Sequence, residues 1–264
     1  MIASVLKNIP LLSKFAFDEI KIQILSGLTN KNYLVTIPSD PKQKTILRIP
    51  RESTDEFINR DNESHNTDIA EQLGIAPKNL WREVSGISLT EYLENTTKPK
   101  LDKPQTLDKI AKALTTLHNS KTIFKGELNN QKITKLLIQY FEKCSNKKQR
   151  SLKPDYQKTL ALLEAPLSVR SAVPSHIDLV QENILHQGEK VWFIDWEYSA
   201  MASPFWDIAI FCNSAEIDSS LSESLLKQVL NNYQASDLQC LNHYRFIAQV
   251  VSDCWQAAFV QSPQ

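Results

Sequence analysis

The sequence predicts an α+β chain of two unequal lobes, a small antiparallel-sheet lobe followed by a larger, mainly helical one. Three observations carry this. Residues 18–49 hold strand-like apolar runs separated by turn signals. From residue 107 onward, apolar residues recur at three- and four-residue spacing, which marks helix faces. Between the two patterns, residues 84–91 read as a connector turning at Ser85-Gly86. The expected division places residues 1–86 in the first lobe and 87–264 in the second.

The N-terminal stretch MIASVLKNIPLLSKFAF is mildly apolar but broken by Lys7, Pro10 and Lys14, so it reads as an amphipathic helix or arm and not as a signal peptide. Residues 21–25 form a strand running into a tight loop at 26–31. A second strand covers 33–37, Ser39-Asp40-Pro41 signals a turn, and a third strand covers 45–49. A helix follows over residues 55–73, with Phe57, Ile58, Ile69, Ala70 and Leu73 inward. Gly74 and Pro77 end it. Residues 80–84 and 87–89 are short strands. Leu107, Ile110, Ala111, Leu114 and Leu117 share one helix face, and Ile133, Leu136, Leu137 and Tyr140 another. A charged, Gln- and Lys-rich turn is expected at 145–154, then a helix at 156–163. Val191-Trp192-Phe193-Ile194 reads as a strand, and residues 205–212, 220–233 and 238–260 as helices.

At 264 residues the chain is long enough for a real core. Lys plus Arg and Asp plus Glu both number 30, and a formal net charge of zero gives no bulk electrostatic hold on nucleic acid. Cys144, Cys212, Cys240 and Cys254 show no CxxC spacing, the pattern of a reduced, cytoplasmic chain. No run approaches the roughly twenty apolar residues of a membrane span. Nothing in the sequence sets the oligomeric state.

The chemistry concentrates in SHIDLVQENILHQGEKVWFIDWEYSAMASPFWD, residues 175–207. Asp178 is followed five residues later by Asn183, and seventeen residues later by Asp195 at the end of the apolar strand. An Asp in a loop before a strand is, taken alone, a turn former. The three together read differently. Asp178 and Asn183 bracket one loop turn, and the strand can return Asp195 to the same point. An Asp able to accept a proton, with an Asn and an Asp able to hold Mg2+ through oxygen, is the equipment of phosphoryl transfer. His176 reads as a scaffold for the loop. Asp207 reads as a helix partner or brace, and His118 as packing.

HIDLVQENIL followed by FIDWEY resembles the aminoglycoside phosphotransferase and choline kinase superfamily, relatives of the protein kinases. Upstream, Ser26-Gly27-Leu28-Thr29-Asn30-Lys31-Asn32-Tyr33-Leu34-Val35 is similar to the phosphate loop of bacterial choline kinases. Leu47-Arg48-Ile49-Pro50 is similar to their third strand, and Ile58-Asn59-Arg60 with Glu63 to their first helix. Residues 196–212 match the same branch. The resemblance implies a protein-kinase-like bilobal fold, with ATP held by the first lobe and the acceptor by the second. It implies phosphate contacts from Ser26, Gly27, Thr29, Asn30 and Asn32. Arg48 takes the place of the kinase strand lysine, with Glu63 as its helix partner. Asp178 becomes the base, and Asn183 and Asp195 hold Mg2+.

The implied acceptor is a small amino alcohol, choline ahead of ethanolamine, because aromatic faces and a nearby carboxylate recognise a quaternary ammonium group. Tyr198 and Trp255 are the cage candidates, and Glu197 supplies negative charge or serves the metal. Choline kinases commonly carry two tryptophans three apart in the last helix. Here Ala258 stands at that spacing from Trp255, with Phe259 next to it. Relatives also tend to carry an acid where this chain has Asn213-Ser214, and they continue past the position of Gln264. Kinases for thiamine, an aminoglycoside or a sugar, and an inactive nucleotide-binding module, are the alternatives. A protein kinase is disfavoured, because no activation segment separates Asp195 from Asp207.

Overall fold

One face of one sheet organises the first lobe. The structure, a computed structural model, describes residues 2–25, 30–38, 40–51, 58–101, 104–164 and 170–260. Helix α1 (Ile2–Asn8) and a short arm lead into β1 (Lys21–Leu25), β2 (Asn30–Ile37) and β3 (Asp40–Pro50). Helix α2 (Arg60–Gln72) follows, then β4 (Asn79–Arg82) and β5 (Ser88–Glu91). The strands order as β1-β2-β3-β5-β4, and every pairing is antiparallel. Side chains alternate across a strand. Val35, Ile37, Leu47, Ile49 and Leu89 therefore share one face, buried against Leu6, Ile9 and Leu12 of the N-terminal arm. Asn32, Ile46, Arg48 and Ser88 lie on the other face, where the register aligns Asn32 with Arg48 and Arg48 with Ser88. Each buried aliphatic side chain contributes on the order of 1.5–3 kcal/mol, so the arm fixes the sheet and leaves its polar face to the second lobe.

The expected division after residue 86 runs between β4 and β5, the two strands of one hairpin. The chain leaves the sheet after β5. Thr97 and His186 then exchange backbone bonds of 2.9 and 2.8 Å, tying the linker to the second lobe. The helix expected over residues 55–73 begins at Arg60, where Asn59 caps it by accepting from the Asn62 N–H at 3.0 Å. Residues 52–57 lie outside the described residues.

The second lobe contains α3 (Pro104–His118), β6 (Glu127–Leu128), α4 (Asn130–Lys143), α5 (Asn146–Leu163), β7 (Val173–Ser175), β8 (Ile184–Gln187), β9 (Lys190–Phe193), β10 (Ala200–Ala202), α6 (Pro204–Ser214), α7 (Ser219–Val229) and α8 (Ala235–Phe259). Strands β6-β10-β7 make a small sheet, and β8 and β9 a hairpin. Helix α6 is buried nearly all round through Phe205, Trp206, Ile208, Ala209, Phe211 and Cys212, as the centre of a helical core must be. Where the sequence suggested a turn at 145–154, the chain is already helical. Ser145 caps α5 by accepting from the Lys148 N–H at 3.4 Å, and Pro154 is accommodated inside the helix. Its lysines face solvent, while Leu152, Tyr156 and Leu160 pack inward, so the polar face masked the helical period.

Helix α2 belongs to both lobes. Asn66 is fully buried, and its amide donates to the Ser199 carbonyl at 2.9 Å and the Lys125 carbonyl at 3.1 Å. Its oxygen accepts from the Lys125 N–H at 2.8 Å. Among the described residues no helix is long and apolar enough to cross a membrane. All four cysteines are free thiols.

Candidate active site

The loop before β8 is held under tension. Ile177 has φ +72°, a left-handed conformation that costs a β-branched residue free energy. Asp207, at the start of α6, opposes this. Its carboxylate accepts from the Ile177 N–H at 2.7 Å and the His176 N–H at 3.0 Å. The same carboxylate bonds Nε2 of His118, at the end of α3, at 2.9 Å. The brace is thus a buried pair reaching across three elements, and His118 is part of it instead of simple packing. Nε2 of His176 donates to the Ile194 carbonyl at 2.9 Å, which fixes the loop against the strand that delivers Asp195.

That geometry brings Asp178, Asn183 and Asp195 together. The Asn183 amide donates to the Asp178 carboxylate at 3.0 Å and to the Asp178 carbonyl at 2.9 Å. The Ile194 N–H donates to the Asn183 carbonyl at 3.0 Å, closing the β8–β9 hairpin so that Asn183 and Asp195 meet at one end. Burial pushes the Asp178 carboxyl up to about 8, with the Asp195 and Glu197 charges adding to it and the Asn183 bond opposing.

Across the cleft, Nη1 of Arg48 donates to Oδ1 of Asp195 at 3.0 Å, and Nη2 pairs with Glu63 of α2. Burial works against the guanidinium charge, but Glu63, Asp195 and Glu197 more than offset it and hold its pKa above the ordinary value. Asn30 is 2% exposed, and its amide points to Glu197 at 3.2 Å and Asp195 at 3.4 Å. Asn32 stands beside Arg48 in register, on the cleft face. Ser26, Gly27 and Thr29 lie outside the described residues.

Tyr198 and Tyr140 of α4 both feel the charge of Asp178. Burial raises the Tyr140 phenol to about 12, and the Asp178 charge adds to this. The Tyr198 phenol is raised by burial, then by Glu197, Tyr140 and Asp178. The Tyr140 ring meets Phe259 edge-on at 5.7 Å, and Phe259 lies 6.0 Å from Trp255. Trp255 therefore reaches this group through Phe259. Glu197, expected to supply negative charge to the acceptor or to serve the metal, turns its carboxylate toward Asn30, Arg48 and Arg60, with a side chain only 1% exposed.

The profile of the choline/ethanolamine kinase family matches residues 22–252. This chain belongs to that family. Protein LicA of Haemophilus influenzae is 31% identical over 245 residues, covering 86% of this chain and 89% of the relative. The fold is shared with choline kinase LicA from Streptococcus pneumoniae, with a TM-score of 0.75, 24% identity, and coverage of 97% of this chain and 89% of that one. It is also shared with a LicA structure in complex with AMP, with a TM-score of 0.73, 24% identity, and coverage of 97% and 90%. The chain is accordingly a phosphotransferase with an alcohol group as acceptor, on a protein-kinase-like bilobal fold.

In this kinase, three polar residues near the site went unassigned in the sequence: Arg60, Asn66 and Tyr140. Arg60 and Asn66 lie on a helix that is polar nearly throughout, RDNESHNTDIAEQ, so nothing in its pattern sets these two apart. Tyr140 falls on a regular apolar helix face and reads as core until α8 is placed beside it.

Proposed function

We propose that the chain transfers the γ-phosphoryl group of ATP to the hydroxyl of a small amino alcohol, choline ahead of ethanolamine. The observation that carries this reading is the Asp178–Asn183–Asp195 cluster at one end of the β8–β9 hairpin, joined across the cleft to Arg48. The likeness to LicA proteins, one of them a choline kinase and one in complex with AMP, supports it.

Each residue takes a role its surroundings suit. Asp178 accepts the acceptor proton as the hydroxyl oxygen bonds to phosphorus and the bond to the ADP oxygen breaks. Burial raises the basicity of this carboxyl, so once ionised it is a stronger proton acceptor than an ordinary one. Arg48 places a two-pronged cation on the cleft face of the sheet, suited to phosphate oxygens. Asn32 adjoins it and would orient the same groups. Asn183 and Asp195 offer hard oxygen ligands at one point, a fit for a divalent ion that retains phosphate and water ligands. When bound there, Mg2+ neutralises charge on the transferring phosphate. Tyr198 and Trp255, with Phe259 between Trp255 and Tyr140, supply aromatic faces for the ammonium group.

A coupled ADP-release assay over choline, ethanolamine, thiamine and kanamycin tests the reading. Choline should give the highest kcat/KM, and Asp178→Ala should abolish turnover while nucleotide binding persists. No acceptor-dependent ADP release from any of the four would overturn it, and nucleotide binding without release would point to an inactive module.

A further inference from the structure

Arg48 is half of a larger device. Glu63 pairs with Arg48 and, through its other oxygen, with Nη1 of Arg60 at 2.6 Å. The same Nη1 lies 3.5 Å from Oε2 of Glu197, and that oxygen lies 3.6 Å from Nη1 of Arg48. Arg48, Glu63, Arg60 and Glu197 thus form a closed ring of alternating charge. It joins β3, α2 and the segment after β9, with Asp195 attached at the Arg48 corner.

Beyond its i,i+3 pair with Glu63, Arg60 stands where local structure works against a cation. It is the first residue of α2, where the helix dipole disfavours a cation and favours a carboxylate. A residue that breaks a local rule marks a demand from elsewhere in the fold. The turn between β4 and β5 is shaped around it. Gly86 has φ +88°, and a Cβ there would come within 2.6 Å of Arg60 Nε and 2.7 Å of its Cδ. The Gly86 carbonyl accepts from Nη2 of Arg48 at 3.3 Å, so one glycine covers both cations.

We propose that Arg60 is a positioning residue for nucleotide binding, acting through Glu63 and Glu197 on the orientation of Arg48. This rests on the phosphoryl-transfer reading above. With Arg60 in place, two guanidinium groups share three carboxylates, and Arg48 keeps its fork on the cleft face. Without it, Glu63, Glu197 and Asp195 all draw on Arg48, and the site meets the nucleotide phosphates with one positive charge fewer. Removing one partner of a buried ionic cluster leaves uncompensated charge, and the groups around it rearrange.

The geometry also dictates the rescue. The contacts of Arg60 to Glu63 and Glu197 both run through the single atom Nη1, so a lysine ammonium can reproduce these two. Arg48 uses Nη1 and Nη2 on different partners, so lysine cannot replace it.

Calorimetric titration of Mg·ADP into the wild-type chain, Arg60→Met, Arg60→Lys and Gly86→Ala tests this without any acceptor. Arg60→Met should weaken binding about tenfold, the scale of one lost charged hydrogen bond. Arg60→Lys should recover most of that affinity. Gly86→Ala, which displaces Arg60 without removing it, should weaken binding in the same direction. Wild-type affinity in Arg60→Met, or an Arg60→Lys as weak as Arg60→Met, would overturn the proposal. A wild-type chain that binds Mg·ADP yet phosphorylates no acceptor removes the functional reading and leaves the Arg60 result standing. A wild-type chain that binds no nucleotide removes both.

Discussion

Nη1 of Arg48 and Oδ1 of Asp195 are 3.0 Å apart, a bond that joins the third strand of the first lobe to the end of the β8–β9 hairpin in the second. The contact crosses the cleft in which a nucleotide would lie. Because the fork of Arg48 is divided between Asp195 and Glu63, its planar geometry matters as much as its charge. We expect Arg48→Lys to lose on the order of a hundredfold in kcat/KM for ATP, roughly two charge-assisted bonds. The melting temperature of the nucleotide-free protein should shift far less. Steady-state kinetics over ATP at saturating acceptor, beside a thermal melt, checks this. A Lys variant with wild-type kinetics would mean that charge alone suffices at this position.

The Asp178 carboxyl makes a second expectation, about stability against pH. Its folded value is pushed up to about 8 from an ordinary 3.8, chiefly by burial. Between those values the folded chain holds a proton that the unfolded chain has released. Stability therefore falls as pH rises through this window, at no more than about 1.4 kcal/mol per pH unit from one group. Asp178→Asn removes the titration while keeping a partner for the Asn183 amide. In metal-free buffer the variant should melt above wild type at pH 8, with the gap shrinking as pH is lowered toward 5. A gap independent of pH would assign the effect to packing and not to the carboxyl proton.

What the sequence made legible follows from the range of its signals. Strand β9 was legible because Val191–Ile194 is an unbroken apolar run ending at Asp195, while its hairpin partner β8 carries no such run and was not read as a strand. Arg48 and Glu63 were legible only through family resemblance, since one lies on a strand and the other on a helix. The closed ring was not legible. Arg60 and Glu197 are 137 positions apart, and no local period links them. The sequence left Glu197 between the acceptor and the metal for the same reason: its pairing with Arg60 of α2 depends on the turn after β9. The helix over residues 145–154 was hidden by composition, because its exposed lysines outweigh Leu152 and Tyr156 in the pattern. Asn66 shows the limit most plainly. Its value lies in two partner residues, Lys125 and Ser199, that only the folded chain brings near.

The acceptor side can be tested by separating ring from hydroxyl. Trp255 meets Phe259, Phe259 meets Tyr140 edge-on, and the Tyr140 phenol lies within the electrostatic reach of Asp178 and Tyr198. A desolvated cation over an aromatic face is worth on the order of 2 kcal/mol, or about thirtyfold in KM. Trp255→Ala should raise the choline KM by that order and leave the ATP KM nearly unchanged. Equal effects on both would return Trp255 to the core of α4, α5 and α8. Tyr140→Phe keeps the ring against Phe259 and removes only the hydroxyl. A trimethylammonium group cannot donate a hydrogen bond to a phenol oxygen, whereas a primary ammonium can. The substitution should therefore weaken ethanolamine more than choline, read as a rise in the ratio of their KM values. A ratio that stays at the wild-type value would place the hydroxyl away from the ammonium group.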